Sequence, residues 1–496
     1  MNVAVVAACA AAMVPASLRW LRIAQREHYL AGSVVRFALR WWLASRLGAV
    51  MATVAAAATV ATAWWVAAGF VVAVVAAIGP PGLGWRGRTS PLAWTARLRR
   101  LAGALGLLVV AGGVAGLVFH PLITVALVLL LPGAMDLLLA LLGPIETRLG
   151  RPWVEKAAAA LKASGASVVA ITGSYGKTST KGYVAQLLGG VRRVVASPAS
   201  FNNRMGLARA INENLGGGVD VFVAEMGTYG PGEIAELCSW IPPHVAVITA
   251  VGPVHLERFG SEDRIVAAKS EILTRAQSAV INVDDPRLAA VADAEAWRRN
   301  VIRVGTQEGD VVVSPAGSVH VHGDLMGSAP GSVHPTNLAC AVGVAVALGV
   351  EPTEISGRLT TLTEPPHRRS VTRGAAGAII VDDTFNANPA GAAAALATLS
   401  GLEVTGRRVV VTPGMVELGS RQFEENRAFA AAAAQVADVV IGVGRTNRRA
   451  LVAGGRTGPA ELLVMATRED AVAWVRQNLG PGDAVLYEND LPDHFP

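Results

Sequence analysis

Between Arg46 and Arg86, thirty-nine consecutive residues (47–85) carry no charge, whereas one bilayer crossing requires only about twenty apolar residues. Two helices in a hairpin fit that length, with the turn near Ala63–Ala67, where Trp64 and Trp65 suit a headgroup interface. A second apolar block, Leu101–Ile145, holds a single acid, Asp136, and is broken at His120-Pro121, which reads as two further crossings. Asn2–Leu18 is a shorter first crossing with no basic residue ahead of it, the pattern of an uncleaved anchor rather than a cleaved signal. Residues 1–150 are therefore expected to be a membrane domain of about five transmembrane helices. Six arginines lie between 19 and 46 and five between 86 and 100, with none in the two outer turns. Both basic loops should then face the cytoplasm, and so should everything after Thr147. Asp136, near a helix end, reads more simply as a locally paired acid than as a functional one.

Charge divides the chain in the same place. Of a formal net charge of +6, residues 1–150 carry +9 (twelve Arg against Glu27, Asp136 and Glu146), leaving −3 for the remainder. The basic excess sits beside apolar runs and not on the soluble part, so nucleic acid is not the expected partner. Cys9, Cys238 and Cys340 show neither paired nor metal-ligand spacing; they fit a reducing compartment, as small buried hydrophobes. Only five lysines occur against thirty-eight arginines, so a lysine inside a motif raises a question about its chemistry.

From Arg151 onward, Val/Ile-rich runs alternate with Ala-rich helical stretches, the pattern of parallel α/β sheets. Two such domains are expected, 151–363 and 364–496, with the break near Glu364-Pro365-Pro366. In the first, ASVVAITGSYGKTSTKGYVAQLL (166–188) runs from an apolar strand through a glycine turn into a helix opening at Lys177. Such a turn cradles phosphate with outward-pointing N–H groups. Lys177 adds a cation for the terminal phosphates, and Thr178 a hydroxyl for magnesium. Ile171 occupies the first glycine position of the common GxxxxGK[ST] loop, leaving the shorter GxxGK[ST] form with Gly173 and Gly176.

Four further segments suit nucleotide and metal chemistry. SFNNRMG carries Asn202 and Asn203, and the strand VFVAEMG ends in Glu225, where a carboxylate can join Thr178 on magnesium. VITAVGPVHLERFGS places His255 just after a strand, and AAKSEI sets Lys269 and Glu271 on a helix. Each alone has a bland explanation as a turn residue, a solvated strand end or a surface charge; their order behind a phosphate loop argues otherwise.

At this point the chain resembles the Mur ligase family, most closely its D-alanyl-D-alanine-adding branch. TGSYGKTS, FNNRMG, AEMGTYGPGEI, VGPVHLERFGS, AAKSEI, INVDDP, IIVDDTFNANP and GMVELG follow in that family's order over about 170–420. The resemblance implies a P-loop ATPase central domain with a parallel sheet, and a mobile Rossmann-like C-terminal domain. It implies ATP-dependent joining of an amine to a carboxylate through an acyl-phosphate, with ATP and two magnesium ions as cofactors. It makes Gly173, Ser174, Tyr175, Gly176, Lys177, Thr178 and Ser179 the phosphate loop, and Thr178, Glu225, His255 and Lys269 the metal ligands, Lys269 as a carbamate. It likewise assigns Asn202 and Asn203 to substrate, Asn337, Asp383, Asn386 and Asn388 to the nucleotide, and Arg368 to the phosphates, where a cation offsets transferring charge.

Departures accompany the likeness. Ala250 stands where the family commonly has Asn, Val333 and His334 replace its His-Asn pair, and Asn426 stands near a usual His. The expected Lys-Gly-Ser-Arg segment near the end is absent from GDAVLYENDLPDHFP, and apolar helices replace the soluble domain for a uridine nucleotide. His320 and His322 would share a strand face, which reads as solvated strand without a third ligand; Ala428–Ala434 reads as a packed helix face. The leading expectation is a multi-pass, membrane-embedded ligase acting at the cytoplasmic face in cell-wall or envelope biosynthesis. Its partners would be an amino-acid or peptide amine donor and a carboxylate acceptor, possibly lipid-linked. The alternatives are a polymerising ligase resembling poly-γ-glutamate synthases, and a nucleotide-gated membrane scaffold.

Overall fold

The computed structural model describes residues 1–87, 91–198, 201–331, 333–363, 370–374, 376–384, 388–491 and 495–496. Arg368 and Asn386 lie outside these described residues. The chain opens with α1 (Asn2–Arg26), α2 (Ser33–Leu43), α3 (Arg46–Ala61), α4 (Gly69–Ile78), α5 (Ala96–Val118), α6 (Leu122–Leu129) and α7 (Leu131–Ser164). Among the described residues, α1 and α5 are long and apolar enough to cross a bilayer. Counting the bent pairs α2–α3 (115°) and α6–α7 (75°) as single spans raises the total to four. By length and composition alone the described helices thus supply two to four candidate spans beside the five expected, and the 47–85 hairpin turns over residues 62–68. That leaves α3 with 16 residues and α4 with 10, fewer than the roughly twenty a straight crossing needs. The turn does carry Trp64 and Trp65, both exposed.

Polar groups in this region close helix ends. Asp136 of α7 accepts from the backbone N–H of Val34 (3.1 Å) and Val35 (2.8 Å), where the helix dipole of α2 favours an anion; the local-pairing reading of this acid holds. Arg19 donates to the carbonyls of Ala76, Ala77 and Gly79 at the end of α4, groups that have no intrahelical partner.

Helix α7 belongs to two cores. Leu131, Met135 and Leu139 pack with α1 and α2 in the helical region, while Val154, Ala157 and Leu161 pack beneath the first sheet. At 34 residues it is about 50 Å long, and it runs through residue 150 without a break; Pro144 and Pro152 sit between the two packed ends.

The first sheet has nine strands: β1 (Ser167–Thr172), β2 (Val194–Ala196), β3 (Val221–Glu225), β4 (Val245–Ile248), β5 (Ser278–Asn282), β6 (Asn300–Gly305), β7 (Val311–Val313), β8 (Ser318–Val321) and β9 (Asp324–Ser328). Their order is β2-β3-β1-β4-β5-β6-β7-β8-β9, parallel through β7 and antiparallel thereafter. Strands β3 and β4 are buried throughout, as parallel strands covered on both faces must be. The second sheet orders as β10-β11-β15-β12-β13-β14, from β10 (Ser370–Arg373), β11 (Ile379–Asp383), β12 (Arg408–Thr412), β13 (Val439–Val443), β14 (Glu461–Met465) and β15 (Ala484–Glu488). Only β10 is antiparallel. Strand β8 ends at Val321, and His322 turns into a left-handed conformation beside Asp310, so His320 and His322 do not share a strand face. Cys9, Cys238 and Cys340 are free and buried.

At the carboxyl end of central β15, Glu488 is wholly buried and accepts from Thr412 Oγ1 (2.5 Å). Burial, against that bond and with Asp383 adding to it, pushes the carboxyl from 4.5 up to about 8. The folded chain then holds a proton that the unfolded chain releases, so stability falls as pH rises from about 4.5 to about 8. The slope from this group is at most about 1.4 kcal/mol per pH unit. Glu488→Gln is expected to flatten the loss of Tm between pH 5 and pH 8 in thermal unfolding; a wild-type slope retained in the variant would refute the assignment.

Candidate active site

The order of the first sheet reverses at β1, whose neighbours are β3 and β4, and a ligand crevice opens outside the carboxyl ends of strands at such a point. There β1 turns through Gly173–Gly176 into α8 (Lys177–Leu188). Both glycines are required. At Gly173 (φ 154°) a Cβ would stand 2.0 Å from Thr249 Oγ1, and at Gly176 (φ 77°) 2.0 Å from Asn337 Oδ1. Asn337 thus packs directly on the loop from α14, which follows α9 (Arg204–Asn214), α10 (Glu233–Trp240), α11 (Leu256–Phe259), α12 (Glu262–Ser270) and α13 (Pro286–Glu295) and spans Pro335–Ala347. Lys177 Nζ folds back onto the carbonyls of Gly173 (2.6 Å) and Ser174 (3.4 Å). Ser174 Oγ bridges to Gly252, and the Tyr175 carbonyl accepts from Thr249. Ser179 lies buried behind them.

Glu225, at the end of β3, is the centre of the cluster. Its Oε2 accepts from Thr178 Oγ1 (3.0 Å) and Lys181 Nζ (2.9 Å), and its Oε1 from Asn202 Nδ2 (3.4 Å). Burial opposes ionisation, but Lys181 and Lys177 outweigh it and hold the carboxyl below its ordinary range. The paired hydroxyl and carboxylate suit magnesium, which takes one or two protein oxygens and completes its shell with phosphate and water. Among the described residues no three His, Cys, Asp or Glu side chains are grouped so as to hold a metal ion. Asn203 instead caps α9, accepting from the Gly206 N–H (2.9 Å), so the two asparagines have different surroundings.

A small cavity of about 50 Å³ brings together Gly173, Lys177, Asn202, Tyr229, His255 and Lys269. Lys269 on α12 is 3% exposed. Burial, then the Lys177 ammonium, push its amine well below the lysine range, against Glu233 and Glu271. Glu271 itself accepts from the N–H groups of Gly232 and Ala235, ahead of and within α10. His255 (φ 58°) opens α11, and its Nδ1 meets Glu417 from the second sheet's domain. Arg258 donates to the same carboxylate at 3.1 Å. Burial would raise Glu417, but the bonds and charges of His255 and Arg258 bring it down to about 2.

In the second domain Asp383 is fully buried at the end of β11. Asn388 caps a helix starting at Pro389, accepting from the Gly391 N–H (2.8 Å). Asn426 binds the Met415 N–H and carbonyl and so fixes the GMVELG loop. Sequence reasoning did not single out Lys181, Tyr229, Arg258 or Glu417. Lys181 follows Lys177 by four residues on one face of α8, a readable signal; the other three lay inside quoted motifs and acquire a role only through contacts distant in sequence.

Residues 171–340 match the Mur ligase middle domain, and 367–487 match the Mur ligase, glutamate ligase domain. The UDP-N-acetylmuramoyl-tripeptide–D-alanyl-D-alanine ligase of Mycobacterium tuberculosis is 33% identical over 372 residues, 66% of this chain and 71% of that protein. Its namesake from Bacillus subtilis is 28% identical over 352 residues, 67% of this chain and 75% of that protein. The crystal structure of MurF ligase from Thermotoga maritima in complex with ADP is similar at a TM-score of 0.59 and 28% identity, covering 68% of this chain and 80% of that one.

Removing one partner of a buried ion pair strands the other charge. Lys181→Met is expected to lower stability by about 3–5 kcal/mol in urea unfolding. Adding Glu225→Leu should recover most of that loss; strictly additive losses would show that the two groups do not act as a pair.

Proposed function

Because the chain belongs to the Mur ligase family, and is thereby an ATP-dependent ligase that forms C–N bonds and uses magnesium, we propose that it couples a short peptide or amino acid to a carboxylate-bearing cell-wall precursor. The convergence of Lys177, Thr178, Lys181, Glu225, His255 and Lys269 at one end of the first sheet is the observation that carries this reading. The parts are a helical region over 1–150, a central ATP-binding domain over 151–363 and a Rossmann-like C-terminal domain over 364–496, with α7 running across the first boundary.

In this reading the N–H groups of Gly173–Thr178 hold the phosphates, with Ser179 behind them, and Lys177 leaves the Gly173 carbonyl for the terminal phosphate. Two magnesium ions, when bound, neutralise phosphate charge and align it with the substrate carboxylate. Thr178 and Glu225 would hold one, and His255 and a carbamylated Lys269 would hold the other. A buried Lys269 held as the neutral amine has the free electron pair to form an N–C bond to carbon dioxide, one C=O π pair passing to oxygen and one N–H proton leaving to water, and the resulting carbamate anion suits a site facing Lys177. Asn202 and Asn203 border the acceptor, and Asn337, Asp383 and Asn388 support the nucleotide. Arg368 and Asn386 would reach it as the C-terminal domain closes. The carboxylate attacks the γ-phosphorus, ADP leaves, and the amine then displaces phosphate from the acyl-phosphate.

The helical region supports a membrane location. Leu107, Val110, Val114, Leu117 and Val118 of α5 are exposed, an outward apolar surface that lipid would cover. Arg36 and Arg40 of α2 meet Glu257 of the central domain, which puts these basic residues beside the α/β part, as the positive-inside rule expects for a cytoplasmic face. A carboxylate acceptor carried on a lipid at the cytoplasmic face fits this arrangement.

Lys269→Ala is expected to lose at least about a hundredfold in turnover while unfolding at the wild-type temperature. Undiminished turnover would remove the carbamate. Incubating the purified protein with ATP, magnesium, membrane-lipid precursors and candidate dipeptides, followed by mass analysis, should give one added peptide per acceptor. A ladder of polymer lengths would point to a polymerising ligase, and no substrate-dependent ADP release across the set would point to a scaffold.

A further inference from the structure

The six residues between α1 and α2 do not form a free loop. His28 and Tyr29 are both left-handed (φ 55° and 60°), a costly conformation for residues with a Cβ that persists only where the surroundings fix it. Tyr29 is held from one side, with Arg97 over its ring at 4.2 Å and its hydroxyl 3.3 Å from Thr95 Oγ1. The other side faces the candidate active site. His28 stacks on Tyr229 with ring centroids 4.5 Å apart, and Tyr229 meets the His255 ring edge-on at 5.2 Å. Glu27 binds Arg258 Nη2 at 3.1 Å, and that same nitrogen binds Glu417 at 3.1 Å. Arg258 also lies over the Tyr229 ring at 4.7 Å. The side chains of Glu27 and Arg258 are only 5% and 9% exposed, so this contact is not the loosely solvated kind that contributes little. Three regions of the chain thus meet on one guanidinium, and two short chains of contact run from the helical region to His255: Glu27–Arg258–Glu417 and His28–Tyr229.

We propose that Glu27 and His28 are positioning residues of the ligase centre, orienting His255 for the second magnesium ion, so that the helical region is a working part of the site and not only an anchor. The proposal rests on the reading of His255 as a ligand of that ion. Metal-binding imidazoles depend on the groups that orient the ring, and loss of such a group typically costs about 10- to 100-fold in metal affinity. Here the orienting carboxylate is Glu417, and Glu27 shares its cation.

The test uses the full-length protein in detergent with a non-hydrolysable ATP analogue and manganese in place of magnesium, bound ions being counted by electron paramagnetic resonance. Wild type should bind two ions. Glu27→Gln and His28→Ala should each weaken the second ion by about tenfold or more and leave the first unchanged, and Glu27→Asp should restore part of the loss. Arg36→Ala, which removes a contact to Glu257 at 3.7 Å outside both chains of contact, should bind both ions as wild type does. Thermal unfolding of each variant separates this effect from loss of fold, and His28→Ala serves if Glu27→Gln does not fold. Unchanged affinity for the second ion in the folded variants would overturn the proposal. A wild-type protein that binds a single ion would instead overturn the two-ion reading beneath it.

Discussion

One continuous helix, packed at both ends, sets the geometry on which the rest depends. Because α7 is packed at one end among α1 and α2 and at the other beneath the first sheet, the helical region cannot be placed independently of the nucleotide crevice. A helix holds its 1.5 Å rise per residue wherever both ends are locked by side-chain packing. The α1–α2 loop consequently lands on Tyr229 and Arg258. Asp136, on the same helix, then ties the start of α2 into place through two backbone N–H groups.

Within the crevice, electrostatics divides the labour among three lysines. Lys181 is committed to Glu225 and keeps that carboxylate ionised in spite of burial. Lys177 donates to the carbonyls of Gly173 and Ser174 and adds its charge to the field at Glu225. Lys269 is the one driven toward neutrality, by burial and by Lys177. Three residues of one type around the same crevice thus have three different sets of partners, and only Lys269 is driven toward its neutral form by them.

The local elements of the site could be read from the chain. The strand–glycine turn–helix opening at Lys177, the strand end at Glu225, the post-strand position of His255 and the helical position of Lys269 all stand where pattern and spacing put them, because each depends on short-range rules. Helix lengths in the apolar region were less legible: hydropathy reports apolar length, not where a turn consumes residues, and 47–85 yields helices of 16 and 10 residues. The junction at Arg258 was invisible. Its partners, Glu27 and Glu417, lie 231 and 159 residues away, and nothing in a one-dimensional pattern couples them. Asn203 and Asn388 illustrate a further ambiguity, since the residue types that bind ligands also cap helices.

The contacts of Glu27 and His28 bear on how such a chain can vary. Surface connections ordinarily tolerate insertions, but this one is anchored at both ends and along both sides. A single added residue would carry either the carboxylate or the imidazole away from its partner. In chains built on this plan, the segment between the first two helices should therefore keep a fixed length while the far turn at Trp64-Trp65 drifts, so that spacing rather than residue identity becomes the mark by which the architecture can be traced.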